Sequence, residues 1–136
     1  MTTQAFKNFL VALVGIIQDD QGRVLLGLRA EEGVWVCFGG KLEHGEHLEE
    51  GLARELLEEV RLRIESFTRL SFDHGFLPSG QQFITLYFLC KLPAGQTPVN
   101  GEPHKCLELR WFPLDALPAE MWERDRNALL SLRALG

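Results

Sequence analysis

The alternation of hydrophobic and polar positions predicts a chain built mainly of β-strands. Several runs rich in Val, Ile, Leu and Phe have the length of a strand and are bounded by turn-forming residues. These predicted strands cover residues 8–18, 23–29, 34–38, 66–73, 82–91 and 107–112. Residues 19–22 are predicted to form a turn and residues 74–81 a loop, and Gly39 and Gly40 are predicted to end the third strand.

Two segments favour helices instead. In residues 47–60, one apolar arc forms when successive residues are placed about 100° apart, and it consists of Leu52, Ala53, Leu56, Leu57 and Val60. Residues 119–135 are predicted to form a second helix, although their apolar positions are only roughly periodic. Strands mixed with two helices predict an α+β fold, in which a mixed β-sheet is sandwiched between α-helices.

Length and composition restrict the class of protein. With 136 residues and no internal repeat or linker, the chain is predicted to form one domain, residues 1–136. A hydrophobic fraction of 46% excludes intrinsic disorder. The three cysteines lack metal-type spacing, which favours free thiols in a reducing compartment. The N-terminal residues show no secretory signal and no apolar run could span a bilayer. We therefore expect a cytoplasmic protein with no membrane partner.

The negative charge is concentrated in one short segment. The chain has a net charge of -5, which argues against a nucleic-acid polymer as partner because such partners require a basic face. Residues 43–59 contain seven Glu and one Arg, so the remaining 13 basic and 12 acidic residues nearly balance. The acidic segment is therefore the feature that function must explain.

Three of these glutamates share one side of the first predicted helix. Glu55, Glu58 and Glu59 are three and four residues apart, so their charges repel each other. Converging carboxylates are ligands that Mg²⁺ prefers, but a solvated acidic face has the same pattern. On the helical wheel the one nearby cation, Arg54, points to another side.

The acidic segment resembles the signature of Nudix hydrolases, called the Nudix box. The segment GKLEHGEHLEEGLARELLEEVRL covers residues 40–62. The matching positions are Gly40, Glu46, Arg54, Glu55, Leu56, Glu58, Glu59 and Leu62. Arg61 departs from the pattern, since the family usually has Gly there for a left-handed helix end, in which Arg costs about 1 kcal/mol. A different exit from the helix is the alternative.

Other parts of the chain extend the resemblance. Residues 34–40 are similar to the strand that leads into the box, with Phe38 where Pro is common. Residues 102–118 are similar to the distal part of MutT-type nucleoside triphosphate diphosphatases. The family also implies a possible homodimer.

The resemblance implies a Nudix fold and the hydrolysis of a diphosphate-containing nucleotide by water with Mg²⁺ or Mn²⁺. Carried over by position, Glu58 and Glu59 are metal ligands, and Glu55 is either a ligand or the base that deprotonates the attacking water. The carbonyl of Gly39 completes the shell of one metal. Arg54 orients the glutamates through an ion pair, and so belongs to the catalytic set.

Candidate substrate contacts lie outside the box. Arg29 ends a strand before the catalytic loop and either contacts a phosphate or lies solvated at the surface. Phe38 and Trp122 either stack on a base or pack in the core. Glu102 corresponds to a late-loop acid of some relatives. Core packing is the prediction for Trp35 and Trp111.

Three functions are compatible with these residues. The first is metal-dependent hydrolysis of a nucleoside triphosphate, ordinary or modified, to the monophosphate and diphosphate. The second is hydrolysis of a nucleoside-diphosphate sugar of the ADP-ribose type, which the short segment before the first strand disfavours. The third is a non-catalytic nucleotide-sensing module, which the intact set of box glutamates disfavours.

Overall fold

A computed structural model describes residues 8–135 of the chain, in seven strands and two helices. Residues 1–7 lie outside the described part, so the structure does not bear on the expectation that no secretory signal is present. The elements are β1 (Leu10–Gln18), β2 (Val24–Arg29), β3 (Trp35–Val36), β4 (Phe38–Lys41), α1 (Leu48–Val60), β5 (Phe67–Phe76), β6 (Gln82–Lys91), β7 (Cys106–Phe112) and α2 (Glu123–Leu135). No helix within the described residues is long and apolar enough to span a membrane.

The strands form one mixed sheet. Its order is β3-β2-β1-β6-β5, with β4 paired to β1 and β7 paired to β2. Strands β1 and β6 are parallel over nine residue pairs, from Leu10–Phe83 to Gln18–Lys91, and the other pairs are antiparallel. The predicted α+β class and mixed sheet are confirmed.

The two faces of the sheet carry separate apolar cores. Successive side chains of a strand point to opposite faces, so Leu13 and Ile17 of β1 pack with α1 while Ile16 packs with α2. Helix α1 contributes Leu52, Leu56 and Val60, all fully buried. Burying one such Leu side chain contributes about 1.5–3 kcal/mol. The apolar arc predicted for this helix is therefore the surface that attaches it to the sheet.

The prediction of one extended run ending at two glycines was wrong. Cys37 separates β3 from β4, and its N–H donates to a carboxylate oxygen of Asp125 at 2.9 Å instead of to a neighbouring strand. Gly39 and Gly40 lie inside β4 and pair with β1. A Cβ on Gly39 would lie 1.9 Å from the carbonyl oxygen of Leu13, so only glycine allows this approach of the two strands.

The start of the second helix and the extent of β5 also differ from the prediction. Residues 119–122 are not helical, because the N–H of Trp35 donates to the carbonyl of Glu120 at 2.9 Å and so attaches this segment to β3. Strand β5 continues to Phe76, and the predicted loop shortens to the turn closed by the bond from the N–H of Leu77 to the carbonyl of Gln81.

Arg61, the residue that follows helix α1, adopts the left-handed conformation. Arg61 has φ 58° and ψ 31°, and its N–H donates to the carbonyl of Leu57 at 3.1 Å. The alternative exit considered from the sequence is therefore wrong. Arg61 is exposed, and its Cβ makes the conformation unfavourable.

Replacing Arg61 by Gly should raise the free energy of unfolding by about 0.5–1 kcal/mol, because glycine adopts the left-handed conformation without the Cβ clash. Chemical denaturation measures this change. Arg61→Ala is the matched control: it removes the charged side chain but keeps the Cβ, and should leave stability nearly unchanged. Equal stabilisation by both variants would contradict the explanation.

Candidate functional site

All nine residues predicted to form the site line one cavity of about 560 Å³. They come from β2, β4, helix α1, the loop before β7 and the segment before α2. The cavity is lined by Arg29, Phe38, Gly39, Arg54, Glu55, Glu58, Glu59, Glu102 and Trp122, together with Gly40, Glu43, Lys105, Cys106 and Asp125, among others. The structure therefore places the helix glutamates, a late loop and the end of β2 around one space.

Arg54 binds the carboxylates that surround it. Its Nε donates to Oε2 of Glu46 at 2.8 Å and its Nη2 to Oε1 of the same residue at 3.1 Å. Its Nη1 lies 3.1 Å from Glu55 Oε1 and 3.6 Å from Glu58 Oε1. These hydrogen bonds raise the pKa of Arg54 and lower that of Glu46. The expectation from the helical wheel that Arg54 points away from the glutamates was wrong.

Glu55 is held against the strand that precedes the helix. Its side chain is only 17% exposed, and a Cβ on Gly40 would lie 2.5 Å from its carboxylate. Glycine at this position is therefore required for the carboxylate to lie over β4. Glu58, by contrast, is 55% exposed and its nearest cationic partner is Arg54.

Glu59 is largely buried at the base of this acidic face. Burial raises its pKa well above the usual value, and hydrogen bonding with Glu55 and the negative charges of Glu55 and Glu102 raise it further. The N–H of Gly39 donates to Glu59 Oε1 at 3.4 Å and partly opposes this shift. The charged form of such a buried carboxylate is unfavourable unless a cation lies beside it. Without a cation, the group keeps its proton to a higher pH.

A late loop completes the acidic cluster and also caps α1. The N–H of Val99 donates to the carbonyl of Val60, and that of Gly101 to the carbonyl of Glu59, both at 2.9 Å. A Cβ on Gly101 would lie 2.1 Å from the carbonyl of Glu58. This contact brings Glu102 close to Glu59. Sequence reasoning missed Gly101, although the pair Asn-Gly at 100–101 is a recognised turn signal.

The residues at the mouth of the cavity are basic and aromatic. The guanidinium of Arg29 lies 4.9 Å from the ring centre of Trp122, which is 42% exposed. Lys105 Nζ lies 3.4 Å from Glu102 Oε2.

Phe38 is only 4% exposed and packs in the core beside Gly27, so little of its ring is available for stacking.

Trp35, predicted to lie in the core, is 9% exposed and packs with the α2-side core. Trp111 is half-buried against the α1-side core.

A buried carboxylate on α2 was not predicted. Asp125 is 5% exposed and accepts hydrogen bonds from the hydroxyl of Tyr87 at 2.8 Å and the N–H of Cys37 at 2.9 Å. Burial raises its pKa, and these two hydrogen bonds lower it. Asp125 precedes the buried apolar positions of α2 by three, four and seven residues. This helical spacing was the sequence signal that could have placed Asp125 on the buried face of α2.

A second cavity of about 570 Å³ adjoins the first. The two share Ala12, Val14, Trp122 and Asp125 as lining residues. The walls of the second cavity are more apolar and include Leu10 and Phe83, among others. The combined space therefore has an acidic part and a more apolar part.

The acidic part fits a divalent cation by the chemistry of its donors. Glu55 and Glu59 form a largely buried pair of carboxylates whose like charges repel each other, and hard cations take oxygen ligands of this kind. Among residues 8–135, no three His, Cys, Asp or Glu side chains already converge on one point as a metal-binding group. Glu55, Glu58, Glu59 and the carbonyl of Gly39 are the groups that would hold the ion.

Comparisons with known proteins support the resemblance. The NUDIX domain matches residues 8–132. The mouse (Mus musculus) oxidized purine nucleoside triphosphate hydrolase is 32% identical over 122 residues, covering 85% of this chain and 74% of that protein. Human (Homo sapiens) 8-oxo-dGDP phosphatase NUDT18 is 29% identical, over 94% of this chain and 40% of its own. The crystal structure of a MutT NUDIX hydrolase from Burkholderia pseudomallei superposes with a TM-score of 0.82 at 30% identity, covering 92% of this chain and 98% of that chain.

Replacing Glu59 by Gln should make the metal-free protein more stable at alkaline pH. The folded protein keeps a proton on Glu59 above its ordinary pKa, so the stability of the wild type falls as the pH rises through the raised pKa. The stability gain from Glu59→Gln should be small at pH 5 and should grow toward pH 8, by up to about 1.4 kcal/mol for each pH unit between the ordinary and the raised pKa.

Urea denaturation in the presence of a chelator at both pH values measures this difference. Glu49→Gln is the control, because Glu49 lies on the same helix but pairs with Arg69 outside the cavity. A gain for Glu59→Gln that does not change with pH would contradict the raised pKa.

Proposed function

The chain belongs to the Nudix family of hydrolases that act on nucleotides, and from this premise we propose that it hydrolyses a nucleoside triphosphate to the monophosphate and diphosphate with Mg²⁺ or Mn²⁺. The observation that carries the proposal is the single cavity that joins Glu55, Glu58 and Glu59 to Arg29 and Lys105. Carboxylates alone would repel a polyphosphate. Together with a cation and two basic side chains they form a surface that attracts one.

In this scheme, the residues of the chain bind the cation and the phosphates and orient the reacting groups. Glu58, Glu59 and the carbonyl of Gly39 hold the cation, while Arg29 and Lys105 contact phosphate oxygens. A bound divalent cation would polarise the phosphoryl oxygens and lower the pKa of water. Arg54 donates to Oε1 of Glu55 and so orients the carboxylate that would bind the cation or take a proton from the attacking water. Glu55 therefore serves as ligand or as base.

The adjoining cavity provides space for the base of the nucleotide. Trp122 lines both cavities, and an exposed indole ring stacks on a base with about 1–3 kcal/mol. The names of the mouse and human relatives refer to oxidized purine nucleotides. A modified purine nucleoside triphosphate is therefore the substrate that we propose to test first.

Other expectations from the sequence stay predictions. The nucleoside-diphosphate sugar is retained as the alternative substrate. The non-catalytic alternative is disfavoured, because Arg54, Glu55, Glu58 and Glu59 all line the same cavity. A cytoplasmic location and a homodimer are proposed on the cysteines and on the family resemblance.

A panel of nucleoside triphosphates, oxidized purine nucleotides, nucleoside diphosphates and ADP-ribose, incubated with Mg²⁺, tests the proposal through the products released. We expect monophosphate and diphosphate from a triphosphate. Glu59→Gln should lower turnover at least about 100-fold because a metal ligand is lost, whereas Glu49→Gln should stay within about twofold of the wild type. Hydrolysis of ADP-ribose alone, or an unchanged rate for Glu59→Gln, would contradict the proposal.

Turnover should rise from pH 6 toward pH 8.5. A carboxylate binds a cation only when it is deprotonated, and the raised pKa of Glu59 moves its deprotonation to higher pH. The deprotonated fraction of the attacking water also rises with pH. Initial rates at saturating Mg²⁺ and constant ionic strength measure the profile. A flat or acid-optimal profile would argue against this role of the cluster.

A further inference from the structure

We propose that Glu32 is a positioning residue that fixes Arg29 and Trp122 as a preformed clamp for the nucleotide. The inference rests on the proposed function, because the clamp faces the cavity assigned to the substrate. Glu32 itself does not line either cavity, whereas Arg29 and Trp122 both line the cavity that holds the glutamates. Its effect on the substrate must therefore pass through these two side chains.

One carboxylate of Glu32 binds both partners at once. The Nε of Arg29 donates to Oε1 at 2.8 Å, and the indole Nε1 of Trp122 donates to Oε2 at 3.1 Å. The guanidinium of Arg29 also lies 4.9 Å from the ring centre of Trp122. The three side chains therefore form a closed triangle, in which each member contacts the other two.

The turn between β2 and β3 places Glu32 where it can make these contacts. The N–H of Gly33 donates to the carbonyl of Arg29 at 2.9 Å, and the N–H of Arg29 donates to the carbonyl of Val34 at 2.8 Å. Gly33 has φ +68°, a left-handed value that glycine adopts without strain. This short turn directs Glu32 back over the end of β2.

The ion pair leaves the phosphate-binding part of Arg29 available. Glu32 accepts a hydrogen bond only from Nε of Arg29, and within residues 8–135 neither Nη group of Arg29 makes a hydrogen bond. Two parallel N–H groups of a guanidinium match two oxygens of a phosphate. Glu32 thus restrains the long Arg29 side chain without occupying the atoms that would contact the substrate.

The expected gain from the clamp lies in preorganisation. Arg29 and Trp122 are both substantially exposed, with side-chain exposures of 40% for Arg29 and 42% for the Trp122 residue, so without Glu32 each would sample several rotamers. Ordering them would then oppose nucleotide binding. Because neither side chain belongs to the glutamate cluster, the loss should appear in KM and leave kcat largely unchanged.

Glu32→Ala and Glu31→Ala provide a matched test. Glu31 is the preceding residue in the same turn, carries the same charge, is exposed, and makes no side-chain hydrogen bond or ion pair within the described residues. For the substrate identified by the panel, we expect Glu32→Ala to raise KM about three- to tenfold with kcat within twofold. Glu31→Ala should match the wild type in both constants.

Glu32→Gln separates the two arms of the clamp. Its amide oxygen can still accept from the indole of Trp122, but its NH₂ cannot accept from Arg29. KM should therefore lie between those of the wild type and Glu32→Ala.

Iodide quenching of tryptophan fluorescence, without substrate, tests the clamp directly. Trp122 is more exposed than Trp35 and Trp111. Quenching should increase in Glu32→Ala, and this increase should disappear when Trp122 is also replaced by Phe. Iodide should quench the tryptophan fluorescence of Glu32→Gln to the same extent as that of the wild type.

Equal KM and equal quenching in Glu32→Ala and Glu31→Ala would overturn the inference. A lower KM in Glu32→Ala would also overturn it, because Glu32 would then compete with the phosphates for Arg29. Failure of the proposed function would look different: the wild type would hydrolyse none of the panel, and quenching would still decide whether Glu32 fixes Trp122.

Discussion

The site depends on one guanidinium group that holds several carboxylates together. Arg54 makes two hydrogen bonds to Glu46 and one to Glu55, and lies within 4 Å of Glu43 and Glu58. Carboxylates three and four residues apart on a helix repel each other, and a guanidinium that binds them through charge-assisted hydrogen bonds offsets that repulsion. Arg54 therefore allows α1 to present an acidic face to the cavity, and fixes Glu55 before any cation or substrate arrives.

The rest of the cluster is assembled across distant parts of the chain. The last carbonyls of a helix have no partner within the helix, and the segment that ends at Gly101 supplies two of the missing donors to α1. The same contact brings Glu102 near Glu59, whose pKa is raised mainly by burial and further by the neighbouring Glu55 and Glu102. Folding thus creates a group of carboxylates that is unfavourable until a proton or a cation joins it. The buried side chains of Leu52 and Leu56 hold the helix in place despite that cost.

The sequence was sufficient for the features that depend on local periodicity. The helical spacing of Glu55, Glu58 and Glu59 predicts one face, and the apolar arc beside it predicts the buried surface of α1. Contacts between distant segments leave no such local pattern. The hydrogen bond between Trp122 and Glu32 joins residues 90 positions apart, and residues 119–122 have a helix-compatible composition but bind β3. Two glycines normally indicate a turn, yet Gly39 lies within a strand because only glycine can approach β1 so closely.

The central claim is that the glutamate cluster binds divalent cations that in turn hold the phosphates of a nucleotide. Anomalous scattering from crystals grown with Mn²⁺ and a non-hydrolysable triphosphate analogue tests it most directly. The account predicts anomalous peaks in contact with the carboxylates of Glu55, Glu58 and Glu59 and with phosphate oxygens of the analogue. Analogue bound in the cavity with no Mn²⁺ at these glutamates, or Mn²⁺ bound only elsewhere on the protein, would contradict it.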